Sequence, residues 1–218
     1  MTTPKLRTDL PPLPARIAKL RLSPKGYPVP WFVQWENGVP DFRIVEHGKF
    51  ERAHRGKLCW LCGEPLGRYK SFVAGPMCGV NRTSSEPPSH LECAQFAAMA
   101  CPFLTTPSAK RNERGMENAI APPGFGIKRN PGVAMVWTTL KYDVFRVPTG
   151  YLVEMGPPEH VLWYCEGRTA TRDEVEHSIA TGLPALEDMA KAESREAEIT
   201  LEKMVNEFER LIPDAVAA

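Results

Sequence analysis

Two short pairs of metal-ligand residues, Cys59-Trp-Leu-Cys62 and His90-Leu-Glu-Cys93, constrain this chain more than any other feature. Zinc takes four tetrahedral ligands from thiolate and imidazole, and a two-residue gap lets both members of a pair reach one ion from a single turn. Gly63 follows the second cysteine directly, as a tight knuckle requires where backbone N–H groups turn toward sulfur. Between the pairs, Arg68–Val73 and Met77–Asn81 flank Gly75-Pro76 and predict a β-hairpin. Pro87, Pro88 and Ser89 are helix-start residues ahead of an alanine-rich stretch, so His90 and Cys93 fall on one helical face. The helix N-terminus also favours a thiolate at Cys93.

Knuckle, hairpin and ligand-bearing helix, in that order over residues 57–103, resemble the treble-clef zinc finger, with HxxC at the helix start as the most specific part. The expectation is one structural Zn2+ held by Cys59, Cys62, His90 and Cys93. Cys78 in place of His90 would give a four-cysteine alternative. Four protein ligands close the shell, whereas a catalytic zinc keeps one position for water. Cys101 and Cys165 read as core residues. Six cysteines at this uneven spacing, with no secretory leader in the basic, proline-rich N-terminus, suit metal binding in a reducing compartment better than a disulfide framework. No apolar run approaches the ~20 residues of a membrane span. The expected location is the cytoplasm.

Other segments frame the finger. Residues 1–27, with five prolines and six Lys or Arg against one acid, form an extended arm that needs the main body or a partner to order it. In residues 28–46, Trp31–Trp35, the turn pair Asn37-Gly38 and Asp41–Val45 predict a hairpin, with Pro40 at an edge. Residues 48–56 read as one or two helical turns ended by Gly56. A basic loop spans 105–132, and short apolar runs over 133–170 predict a small antiparallel sheet that the hairpin joins. Thr171-Arg-Asp-Glu174 is a capping box for a helix stopping near Gly182. A second helix starts at Pro184 and runs to about Ile212. Leu201, Met204, Val205, Phe208, Leu211 and Ile212 make an apolar stripe for the chain's own core or a dimer seam. The fold class is therefore α+β: N-terminal β-hairpin, treble-clef-like finger, small antiparallel sheet and helical C-terminus. Residues 28–218 are expected to fold as one unit.

Enzymatic signatures are missing at the finger. Treble-clef nucleases of the HNH type place a catalytic histidine on the hairpin, and residues 63–89 contain none. Zinc deaminases need His-x-Glu before Pro-Cys-x-x-Cys; here His90-Leu-Glu92 comes after the CxxC, which Leu58 precedes. P-loop, HExxH and Gly-x-Ser-x-Gly motifs are also absent. A hydrolase or nuclease with its site outside the finger stays open, because triads assemble in space rather than along the chain.

The charge distribution favours binding. Residues 1–130 hold 19 Lys and Arg against 10 Asp and Glu, and residues 131–218 hold 8 against 16, so a net +9 half precedes a net −8 half. Such asymmetry means a polyanionic partner for the first half or an electrostatic clasp between the two. Arg52, Arg55, Lys57, Arg68, Lys70 and Arg82 surround the finger as candidate phosphate contacts. Lys110, Arg111, Arg114, Lys128 and Arg129 could extend them, and Trp60 and Tyr69 would stack on bases if exposed. Nucleic acid is one expected partner; a protein partner or homo-oligomer, met by the finger, the arm and the C-terminal helix, is the other.

Gly26-Tyr-Pro-Val-Pro-Trp-Phe-Val33, Cys59-Trp-Leu-Cys-Gly-Glu-Pro-Leu-Gly67, Gly75-Pro-Met-Cys78, Ser85-Glu-Pro-Pro-Ser-His90 and Glu166-Gly-Arg-Thr-Ala-Thr171 together resemble a family of bacterial and prophage-encoded proteins. The resemblance covers most of the chain. It implies a phage or mobile-element context and no particular activity.

Overall fold

The computed structural model describes residues 4–107, 109–110, 112–114, 116, 122–124, 126–127 and 130–214. Its element order is β1 (Val33–Glu36), β2 (Val39–Val45), α1 (Lys49–Gly56), β3 (Lys70–Ala74), α2 (Pro76–Val80), β4 (Thr83–Ser84), α3 (Leu91–Ala100), β5 (Val133–Thr139), β6 (Tyr142–Val147), β7 (Gly150–Met155), β8 (Pro158–Cys165), β9 (Arg168–Thr169), α4 (Arg172–Glu193) and α5 (Arg195–Glu209). The α+β class, the N-terminal hairpin, the small antiparallel sheets and the helical C-terminus are as the sequence predicts.

Strand β5 organises the molecule. It pairs antiparallel with β3 and β8, β9 extends β8, and all seven of its residues are buried. Alternation sends Val133, Met135 and Trp137 to one face and Ala134 and Val136 to the other. The first face joins Phe72, Met77, Val80, Trp163, Val175, Ile179, Leu186 and Phe208 in the main core; the second receives Ala94 and Ala98 of α3. Alanine facing alanine lets α3 approach the sheet closely. A second sheet, β4-β7-β6, adds Val153 and Met155 to the main core.

The C-terminal stripe packs on the chain's own core: Phe208 stacks on Trp137 (6.5 Å) and meets Trp163 edge-on (5.8 Å). The Trp163 indole N–H donates to the Leu211 carbonyl at 2.9 Å. The capping box is present, with Thr171 accepting from the Glu174 N–H and Glu174 accepting from the Thr171 N–H. The helix boundary differs from expectation. Helix α4 continues through Gly182 and Pro184 to Glu193, and the break comes at Ser194, whose side chain caps α5 by accepting from the Ala197 N–H. Val175, Ile179, Leu183 and Leu186 share one core-facing stripe across Pro184, and this packing outweighs the proline's missing donor.

Two further expectations are corrected. The hairpin β1–β2 turns at Asn37 (φ 48°) and Gly38 (φ 79°), the left-handed pair of a type I′ turn. It forms a two-stranded sheet of its own rather than joining the later strands. Between the ligand pairs there is no hairpin: β3 pairs with distant β5, and residues 76–80 form the short helix α2. Pro76 opens that helix at its first turn, and Met77 and Val80 gain burial in the core that a surface hairpin would forgo.

Candidate metal centre

The knuckle Cys59–Gly63 closes through Gly63 N–H to Cys59 O (2.8 Å) and Cys59 N–H to Glu64 O (2.8 Å), with a bridge between Leu58 and Pro65. Gly63 has φ 77°, and a Cβ there would lie 2.6 Å from the Trp31 ring, so glycine is required twice over. The second pair is brought in by β3. Ser71 and Ser89 exchange both backbone hydrogen bonds (2.9 and 2.7 Å), which sets His90 in extended conformation as the N-cap of α3. Cys93 is in the first turn of α3. His90 therefore precedes the helix rather than sharing a helical face with Cys93, and the two still converge.

The ligand atoms of Cys59, Cys62, His90 and Cys93 all lie within 4.8 Å of one another. His90 Nδ1 is 3.4 Å from Cys62 Sγ and 3.9 Å from Cys93 Sγ. A tetrahedron with Zn–S about 2.3 Å and Zn–N about 2.0 Å has edges of about 3.5–3.8 Å, so the donor set fits one structural metal ion. Cys59 and Cys93 are fully buried. The Cys62 and His90 backbone N–H groups both donate to Cys59 Sγ at 3.4 Å. Hydrogen bonds from the Cys62 and Cys93 thiols, then these amides, hold Cys59 far below the usual thiol range, while sharing with Cys59 pushes Cys62 up to about 11. A bound metal ion would stabilise all three sulfurs as thiolates. Cys78 lies outside the cluster, in α2, with burial raising its thiol, so the four-cysteine alternative is not the one the geometry assembles. None of the six cysteines forms a disulfide.

The predicted phosphate contacts divide. Arg55 and Lys57 are exposed at the end of α1, and the Leu66 N–H donates to Lys57 O at 2.8 Å, setting that end beside the strand of chain leading to Arg68. Arg68 is exposed, with its guanidinium 5.7 Å from the ring of Tyr69, itself 47% exposed. Lys70 Nζ donates to Arg68 O at 2.8 Å. Arg52 lies over Trp31 at 5.3 Å, beside Lys49 at 4.0 Å, and burial pushes the Lys49 ammonium down. Arg82 is paired with Glu207 of α5 at 3.1 Å. Trp60 is buried and stacked on Phe32 (4.7 Å, 8°), which removes it as a base platform. Exposed Lys110 and Arg114 are described, the Arg114 carbonyl accepting from Arg43; Arg111, Lys128 and Arg129 lie outside the described residues.

Sequence reasoning missed two basic residues of the arm whose partners lie beside the Cys and His pairs. Arg16 and Lys19 of the arm pair with Glu64, and Arg16 also with Glu92. Their signal was the two acids placed immediately beside the ligand pairs.

Fold and site together define an α+β protein with a Cys3His cluster that can hold one metal ion. No family model, curated protein or solved structure matches the chain. Among the described residues no helix is long and apolar enough to cross a membrane.

Proposed function

We propose that this chain is a zinc-stapled, non-enzymatic binding protein that contacts nucleic acid through the basic surface formed by α1 and the segment after the knuckle. The observation that carries this reading is the pattern of ion pairs. Among the described residues, Arg82–Glu207 is the one pair that joins the basic half of the chain to the acidic half. Among the described residues the acidic helices thus pair with one cation of the basic half, which favours an external polyanion over an internal clasp. Arg55, Lys57 and Arg68 have no carboxylate partner among the described residues, and the Arg68 guanidinium lies over Tyr69. A Cys3His donor set with a buried, closed shell favours zinc, in a structural role. The resemblance to bacterial and prophage proteins would set this activity in a phage-carrying cell.

The test is anisotropy of labelled single-stranded DNA, duplex DNA and RNA, titrated from about 50 to about 200 mM salt. Binding that weakens steeply with salt, and that the combined changes Arg55→Glu, Lys57→Glu and Arg68→Glu abolish, is the expected result. Absence of binding at the lowest salt, or equal binding by the variant, would overturn the reading.

One observation favours a second reading. Val39, Phe42 and Val45 of β2 are each more than two-fifths exposed on a free-standing hairpin. Exposed apolar side chains of this kind suit a protein partner, and a stable complex or dimer with no retention on polynucleotide would select it.

A further inference from the structure

The N-terminal arm is laid across the metal centre. Ile17 is buried, and Leu10, Leu13 and Leu20 pack with it against Cys59, Leu61, Cys62, Cys93 and Phe96. A short 3-10 turn, Ile17–Lys19, presents two cations on the same side. Arg16 Nη1 donates to Glu92 Oε1 at 2.5 Å, and its Nε lies 3.0 Å from Glu64 Oε2. Lys19 Nζ donates to Glu64 Oε1 at 2.7 Å.

The position of the two carboxylates gives these contacts their meaning. Glu64 follows Cys62 by two residues, and Glu92 stands between His90 and Cys93. One guanidinium therefore spans the two chain segments that the metal itself spans. Charge points the same way. Three thiolates and a neutral imidazole around a divalent cation leave an excess of one negative charge, and Glu64 and Glu92 raise it to three. Arg16 and Lys19 return two of these charges at close range.

We infer that Arg16 is a positioning residue of the metal centre, and that docking of the arm and binding of the metal stabilise each other. The guanidinium holds the knuckle and the start of α3 at the separation the ion requires. The ion in turn fixes the two carboxylates that hold the arm. Coupling of this kind is reciprocal: whatever the arm adds to metal affinity, the metal adds to the order of the arm. This rests on the metal reading above and is independent of nucleic-acid contact.

The experiment uses the full chain and zinc alone. Zinc is competed from wild type, Arg16→Gln, Arg16→Lys and Arg7→Gln with a chromophoric chelator. Hydrogen exchange is followed at the Ala18 and Leu20 amides, which donate to Pro14 O and Ile17 O. Arg7 belongs to the same arm but pairs locally with Asp9, so it reports general damage to the arm. Loss of outer-shell partners costs roughly 10–100-fold in metal affinity, and the exposure of Arg16 sets the expectation at about tenfold for Arg16→Gln. Arg16→Lys falls between, since an ammonium lacks the planar fork that serves both acids. Arg7→Gln matches wild type, and the Ala18 and Leu20 amides exchange faster once zinc is removed. Equal zinc affinity in Arg16→Gln and wild type overturns the inference while leaving the metal reading intact. Protection of those amides that survives zinc removal overturns the coupling. A wild-type chain that takes up no zinc overturns the metal reading and this inference with it.

Discussion

His90 donates its Nε2–H to the carbonyl oxygen of Pro65 at 2.9 Å, and so turns Nδ1 toward the three sulfurs. A carbonyl can only accept, so this bond fixes both the tautomer and the ring plane. In the zinc-loaded protein, nitrogen-15 correlation spectra should show Nε2 protonated and Nδ1 bound. Removing zinc should move the Nδ1 signal far more than Nε2. An Nδ1-protonated ring in the loaded protein would contradict the arrangement.

Replacing any one sulfur ligand should empty the site. Cys62→Ser and Cys93→Ser are expected to lose zinc in native mass spectrometry and to lower the melting temperature steeply, because structural zinc supplies apparent binding energies of about 10–16 kcal/mol in isolated fingers. Cys78→Ser should keep a full equivalent of metal. Zinc loss from Cys78→Ser would reinstate that residue as a ligand.

What the sequence made legible was whatever is specified over a few residues. The Asn37-Gly38 turn and the Thr171 capping box depend on local chemistry at fixed spacing and are present as read, and the two x2 pairs converge within 4.8 Å. What it hid was decided by partners far away in the chain. Residues 68–73 read as the first strand of a local hairpin because nothing nearby reveals that Phe72 will sit opposite Trp137. Pro184 read as a helix start because the stripe from Val175 to Leu186 gains its weight only once a core exists to receive it. Whether Trp60 is exposed could not be read locally, because its stacking partner, Phe32, lies in another segment.

Helix α5 reaches the core over a glycine. A Cβ on Gly79 would sit 2.4 Å from the Phe208 ring and 2.8 Å from Met135, both in the close-packed interior. Gly79→Ala should destabilise the fold by roughly 1–3 kcal/mol through overpacking, despite alanine's better helix propensity. Denaturant melts would show it, and a Gly79→Ala, Phe208→Leu double variant should recover part of the loss. An unchanged midpoint in Gly79→Ala would mean that α5 docks more loosely than its contacts indicate.

Acid should weaken the start of α4 through Glu174. The Arg168 guanidinium, then the Thr171 N–H, hold the Glu174 carboxyl at about 2, against an ordinary value of 4.5. Between those values the unfolded chain takes up a proton that the folded chain refuses, so this contribution is complete above pH 4.5 and fades as pH falls toward 2. Glu174→Gln should flatten that part of the stability profile and cost about 1 kcal/mol or less at neutral pH, given the exposure of the pair. A variant whose acid limb is as steep as that of wild type would assign the slope to other groups.

Strand β5 has no residue facing water, and its two faces answer to different neighbours: small side chains toward α3, large ones toward α5. A strand of this kind leaves drift no neutral letters. In a half-exposed strand every second position can wander, and such freedom is how lineages diverge without losing their fold. Here residues 133–139 would stay fixed as one uninterrupted word while the rest of the chain changes around it, making it the place where distant kin would first be recognised.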